Sequence, residues 1–234
     1  MTWVNVSKIP PNISLRAFPL FAGLEPDELA GVEGFTRRLP LSAGEALFQE
    51  GDRADRLFLI RSGRLKVFKS SPQGREQILS VLGPGEPVGE AAVFAGESFP
   101  AGAEALEASE VLAIPRRVLL DIVERKPEVA MKFIGSLARR LRYFTALVEN
   151  LSLREVTERL ASYVLYLDSR QMSQGHVDLE LSRAQLAALF GTVPETLSRA
   201  FQRLARCGAI SAERRLVRIE DRRVLEQQAW LQKD

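Results

Sequence analysis

Apolar and polar positions change rhythm along the chain, and each change marks a different kind of element. Between Gly44 and Pro115, short apolar runs recur at Ala46–Phe48, Leu57–Ile60, Leu65–Phe68, Ile78–Leu82 and Val111–Ile114. Each has strand length, and most are bounded by turn residues: Gly51-Asp52, Ser62-Gly63-Arg64, Pro72-Gln73-Gly74 and Gly83-Pro84-Gly85. Closely spaced short strands with glycine turns predict a sandwich, barrel or jelly roll. Ahead of them, Glu25–Glu33 reads as a short helix introduced by Pro26-Asp27-Glu28.

After Pro115 the rhythm lengthens. From Pro127 to Leu151, apolar residues fall at Ala130, Ile134, Leu137, Leu141, Phe144, Val148 and Leu151, in alternating steps of four and three. A mean period of about 3.5 belongs to a coiled-coil seam; a helix lying on its own core keeps about 3.6. Such a helix, about 25 residues at about 1.5 Å each, is roughly 37 Å long. The seam is narrower than a core-facing stripe, so a partner helix explains it better, and a twofold homodimer is the simplest partner. A second helix is predicted from Leu153 to about Ser169, with Leu153, Val156, Leu160, Val164 and Leu167 on one side, and then a loop over Gln171–Gly175.

Ser182-x-x-Gln185 fits a capping box that opens a helix from Arg183 to Phe190, which Gly191 ends. Thr192 or Val193 then caps another helix, with Pro194 in its first turn, running to about Arg206 and closed by Gly208. Two short helices, a tight glycine turn, small Ala187 where they cross and inward Leu186, Leu189, Leu197 and Phe201 make a helix-turn-helix. Ala209–Ile210 and Leu216–Ile219, flanking Glu213-Arg214-Arg215, read as a β-hairpin wing.

On the second of these helices, Leu197, Ala200, Phe201 and Leu204 share one face. Glu195, Ser198, Arg199, Gln202 and Arg203 share the other. Arg can bond a guanine edge bidentately, Glu can accept from a cytosine amine and Ser can bond several bases. A recognition helix meets bases with its first turns. The local alternative is that Glu195 closes a Thr-x-x-Glu capping box and pairs with Arg199. Charge shifts the balance: Arg199 to Arg223 holds eight Arg against Glu213, Glu220 and Asp221, a net of +5 that suits phosphate binding.

Composition sets the limits. The 234 residues suffice for two ordinary domains. Lys+Arg 32 against Asp+Glu 30 gives a net of +2, which excludes a globally basic mode of nucleic-acid binding but allows a local basic face. The lone Cys207 and lone His176 exclude a disulfide scaffold, a four-cysteine iron–sulfur site, a multi-His zinc site and a cupin-type metalloenzyme. No apolar run is long enough to span a bilayer and the N-terminus has no secretory apolar core, so the cytoplasm is the expected compartment. There is no nucleophile–base set, Walker A loop or dinucleotide glycine motif, and the Glu97/Glu104 pair has no companion base. An enzyme on a β-roll is therefore the weaker rival, and no metal site is expected.

Phe190-Gly-Thr-Val-Pro-Glu-Thr-Leu-Ser-Arg199, with Gly51-Asp-x-x-Asp-x-Leu-Phe-Leu-Ile-x-x-Gly63 and Gly89-Glu90-Ala91, resembles the CRP/FNR superfamily of bacterial transcription regulators. The likeness runs from about Phe18 onward. It implies an α+β chain: an extension over 1–17, a cyclic-nucleotide-binding-like β-roll (jelly roll) over 18–126, a dimerisation helix over 127–151 and a winged helix-turn-helix over 152–234. It also implies double-stranded DNA and RNA polymerase as partners. Glu195, Ser198 and Arg199 resemble the FNR-type reading head for palindromic TTGA-like half-sites; Gln202, Arg203, Arg214 and Arg215 complete the DNA surface.

In this family a cyclic phosphate is held where a short helix follows Gly-Glu, by an Arg-Ser pair downstream. Gly89 and Glu90 match, but the Arg-Ser positions fall on Pro100 and Ala101. Residues 76–115 also carry seven Glu and no Lys or Arg, so a cyclic nucleotide is not the expected effector. The four-cysteine cluster of FNR is absent. Ser98-Phe99-Pro100-Ala101-Gly102-Ala103-Glu104 resembles members that respond to nitric oxide or nitrogen-oxide stress, some through haem. A pocket lined by Val88, Gly89, Glu90, Val93, Phe94, Phe99, Pro100, Ala101, Leu137 and Leu141 suits haem or a small hydrophobic effector equally. As axial ligands, His176 reads first as an exposed strand-start residue and Met131 as seam packing. The remaining rival is an effector-binding module acting on a protein partner without DNA; the basic region argues against it.

Overall fold

The computed structural model describes residues 14–229, so Trp3 and most of the N-terminal extension lie outside the described residues. The chain forms two compact units, one running to Ser71 and resuming over Leu79–Arg142, the other made of Pro72–Ile78 and the chain from Tyr143 onward.

In the first unit, Leu15–Ala17 form a 3-10 turn that buries Leu15 in the core. Helix α1 (Pro26–Phe35) opens on a reciprocal capping box between Glu25 and Glu28, with Pro26 in the first turn. Two four-stranded sheets follow. One has the order β1 (Arg37–Leu41), β8 (Ser109–Pro115), β3 (Arg56–Ser62), β6 (Pro87–Val88); the other has β2 (Ala46–Phe48), β7 (Gly102–Ala105), β4 (Leu65–Ser70), β5 (Glu76–Leu82). The apolar run Leu57–Ile60 of β3 is wholly buried, and in the core Phe48 stacks on both Phe58 and Phe99, which meet each other at a tilt. Gly63 makes the β3–β4 turn at φ +79, and a Cβ there would collide with Ser109 and lie 2.7 Å from the Ala108 carbonyl. Only glycine meets both conditions.

Three strands and two helices of this unit escape the sequence patterns. Strand β1 is an edge strand interrupted by Pro40 and mostly exposed. Strand β6 has two residues, and β7 is built of Gly, Ala and Glu, which carry little strand propensity. Helix α3 (Arg116–Arg125) follows β8 directly, and α2 (Glu90–Ala95) opens at Gly89.

Helix α4 runs Pro127–Leu153 and α5 Val156–Gln171, so Leu153 ends the first helix and does not start the second. The break is set by a capping box between Glu155 and Glu158, and by the Arg159 guanidinium, which bonds the carbonyls of Asn150, Leu151 and Arg154. The Leu151 carbonyl is one that a helix end leaves without an intrahelical partner, while the Asn150 carbonyl also accepts from the Arg154 amide at 3.3 Å. Leu160, Ala161, Val164 and Leu167 of α5 are fully buried and centre the second unit's core. Around them lie α6 (Arg183–Leu189), α7 (Pro194–Arg206), α8 (Arg222–Gln228) and a sheet of order β10 (Ile210–Glu213), β11 (Leu216–Ile219), β9 (His176–Asp178). Asp168 ties these pieces together: its carboxylate accepts from Ser173 Oγ, the Gly175 amide and Arg222 Nη1, each at 2.7 Å. Burial alone would raise its pKa, but the Gly175, Ser173 and Arg222 bonds outweigh that and hold it below the ordinary value.

Candidate nucleic-acid interface and sensor core

Helix α6 opens on the expected box, Ser182 Oγ accepting from the Gln185 amide at 3.2 Å and Gln185 Oε1 accepting from the Ser182 amide at 2.8 Å. Phe190 stands just outside it as the cap residue, and Gly191 takes φ +63 in the turn. The cap of α7 is Val193, which has no side-chain acceptor to offer. Leu197, Ala200, Phe201 and Leu204 are buried, while Glu195, Ser198, Arg199, Gln202 and Arg203 are not buried. A capping box at Glu195 does not form, and no Glu195–Arg199 ion pair forms among the described residues. The local alternative for these two side chains therefore has no support in the geometry. Arg203 differs from its neighbours: its guanidinium lies 3.1 Å from Glu155.

The wing turns at Arg214, whose φ is +52, and Arg214 and Arg215 are both exposed at its tip. Arg183 holds this tip. Its guanidinium sits 3.3 Å from the centroid of the Phe201 ring and donates to the Arg214 carbonyl at 3.2 Å. Sequence patterns give no hint of it, because the contacts join α6, α7 and the wing across long stretches of chain.

Of the expected effector lining, Val88, Glu90, Val93, Phe99 and Ala101 are buried, while Gly89 and Phe94 are half-buried. Pro100 is exposed. The residue against Gly89 is Phe99: a Cβ on Gly89 would come within 2.5 Å of its ring. That ring stacks on Phe48 at a centroid distance of 3.7 Å. The space beside the start of α2 is thus filled by the chain's own aromatic side chain.

Glu90 is fully buried and faces Arg140 of α4. Arg140 Nη1 lies 2.8 Å from Oε1 and 3.0 Å from Oε2, but only the second contact has hydrogen-bond direction, so Oε1 has a charge contact alone. Arg140 Nη2 also donates to the Pro87 carbonyl at 3.1 Å. Val129 and Phe133 share this face of α4 and are buried, Phe133 meeting Phe94 edge-on at 4.6 Å. The adjoining face carries the heptad seam. Ile134, Leu141 and Val148, seven residues apart, are 54%, 69% and 63% exposed. Leu137, Phe144 and Leu151, between them on the seam, are half-buried. At that exposure Leu141 is not part of an enclosed pocket within the single chain.

A cyclic nucleotide-binding domain matches residues 38–126, and a Crp-like helix-turn-helix domain matches residues 158–228. The chain is 34% identical to the cyclic AMP receptor protein of Thermus thermophilus, over 92% of this chain and 99% of that one. The chain belongs to the CRP/FNR family of transcription regulators. It is also 32% identical to the transcriptional activator protein Anr of Pseudomonas aeruginosa, over 89% of this chain and 87% of that one. FixK2 from Bradyrhizobium japonicum shares the fold, with a TM-score of 0.74 at 24% identity over 85% of this chain and 99% of that chain. CRP/FNR proteins are regulators and not enzymes, and this chain carries their DNA-binding helix-turn-helix. Among the described residues, no helix is long and apolar enough to cross a membrane.

Haem, which some CRP/FNR regulators carry, does not fit the residues present. Between Phe18 and Arg142 there is no His, Cys or Tyr, and the one Met, Met131, is 64% exposed on α4. His176 and Cys207 belong to the other unit and are both exposed. With Phe99 packed on Gly89 and Phe48, no axial ligand among the described residues is aimed into the β-roll core. Nitric-oxide sensing through a haem held in this core therefore has no residues to support it.

Proposed function

We propose that a homodimer of this regulator reads a palindromic TTGA-like site through Glu195, Ser198 and Arg199, one α7 entering each of two successive major grooves about 34 Å apart. The observation that carries the reading is the two-faced α7: an inner apolar face that is buried, an outer polar face open to solvent, and its reading residues in the first two turns. Gln202 extends that face, Arg203 reaches it by leaving Glu155, and Arg214 and Arg215 neutralise phosphate from the wing. The seam on α4 supplies the second copy. RNA polymerase in the cytoplasm is the downstream partner that the family implies.

The test is a gel shift with a TTGAT-N4-ATCAA duplex against a scrambled one. Arg199→Ala is expected to weaken specific binding by about 1–3 kcal/mol and to relax base choice at one position of each half-site. Arg214→Ala should weaken both duplexes alike and lower the salt slope by about one. If Arg199→Ala leaves the ratio of specific to nonspecific affinity unchanged, the reading residue is misassigned.

The β-roll answers, in this reading, to something other than a cyclic nucleotide. Phe99 covers Gly89, Glu90 is engaged by Arg140, and residues 76–115 offer no cation to a phosphate. Calorimetric titration with 3′,5′-cyclic AMP is expected to give no binding heat. Saturable one-site binding lost on Glu90→Gln would overturn this part.

A further inference from the structure

Away from the Glu90 core, the β-roll holds a second feature. A cleft of about 650 Å³ opens between the end of α1, the β2–β3 connection, the segment after α2 and the start of α3. Its volume falls within the roughly 300–1,000 Å³ of small-molecule sites. Its lining includes Arg37, Arg53, Arg56, Arg116 and Arg117, against the carboxylates of Asp55 and Glu97. This excess of three positive charges stands beside a stretch, 76–115, whose only charged residues are acidic.

The arginines are not equivalent. Arg56 lies 3.6 Å from Asp55, and Arg116 Nε donates to the Val93 carbonyl at 2.7 Å. Arg37, Arg53 and Arg117 are exposed and form no ion pair among the described residues. Three like charges around one cavity repel each other until an anion enters. The first turn of the ten-residue α3 is part of the lining, and its dipole acts in the same sense. Phe35, 54% exposed, adds a flat apolar face with the Arg117 guanidinium 5.6 Å from its centroid, and Leu120 adds another apolar surface.

We propose that this cleft binds a phosphorylated small molecule of nucleotide size, its phosphates on Arg37, Arg53 and Arg117 and its flat ring against Phe35. Guanidinium forks match phosphate oxygens bidentately, and several converging forks suit a di- or triphosphate better than a single carboxylate. The site is separate from the Gly89–Glu90 position and does not depend on the DNA reading above.

The experiment is calorimetric titration of the full chain with ADP, inorganic pyrophosphate and adenosine. ADP is expected to bind one per chain, pyrophosphate more weakly and adenosine not at all. The double variant Arg37→Glu/Arg53→Glu should lose about tenfold or more in ADP affinity, with an unchanged circular dichroism spectrum because both side chains are exposed. Arg37→Gln/Arg53→Gln repeats the measurement should charge reversal disturb folding. Glu90→Gln and Arg199→Ala should both retain ADP binding, which keeps this site distinct from the core and from the DNA surface. The proposal is overturned if ADP and pyrophosphate both fail to bind, if adenosine binds as well as ADP, or if the arginine variants bind ADP unchanged.

Discussion

Leu141→Asp is expected to leave a folded monomer that has lost sequence-specific DNA binding. Leu141 is 69% exposed in the single chain, so the substitution removes little from the chain's own core. In a twofold seam the same position faces apolar Ile134, Leu137 and Val148 from both copies, and a carboxylate buried there without a cation is opposed by several kcal/mol. Separated subunits no longer engage two half-sites as one event. The palindrome affinity should therefore fall by about 10² or more, the usual gain from linking two binding steps. Sedimentation velocity and a gel shift read the two effects separately. A variant that remains dimeric, or a monomer that holds the palindrome as tightly as the parent, would count against the seam.

Arg140→Met should cost about 3–5 kcal/mol of stability, because it leaves the fully buried Glu90 carboxylate without its cation. Burial pushes the Glu90 carboxyl above the usual range, and the Arg140 charge opposes that push. Without Arg140 the rise is larger. The folded variant then holds a proton on Glu90 over a window that begins at the ordinary carboxylate value and extends upward. Within that window the native state binds more protons than the unfolded chain, so stability falls as pH rises and recovers toward acid. Urea denaturation across a pH series should show this slope in Arg140→Met, and Glu90→Gln/Arg140→Met should abolish it. A flat pH dependence in the single variant would show that Glu90 finds another partner.

What can be read from the sequence is what local chemistry writes. Ser182 with Gln185, Gly191 in the turn and Pro194 in the first turn of α7 each act within a few residues, and the helix-turn-helix follows from them. The β-branched and leucine runs of β3, β5 and β8 declare strands for the same reason. Strand β7 is illegible because Gly and Ala carry no such mark, and the α4–α5 break is displaced because Leu153 keeps helical spacing while Glu155 does the capping. Contacts between distant segments leave no trace: Arg183 on Phe201, Arg140 on Glu90, and a cleft whose arginines come from three separate stretches. Phe99 reads as lining from its neighbours in the chain, whereas in the fold it is the filling.

That benzyl ring sets a threshold for any ligand of the β-roll core. A visitor admitted between Gly89 and Phe48 must first evict it, and exposing a buried phenylalanine costs about 2–3 kcal/mol. An eviction of that size weakens apparent affinity by roughly thirty- to 150-fold. Trace concentrations of a weak visitor leave the domain in its resting arrangement, and only a tight or abundant one displaces the aromatic plug.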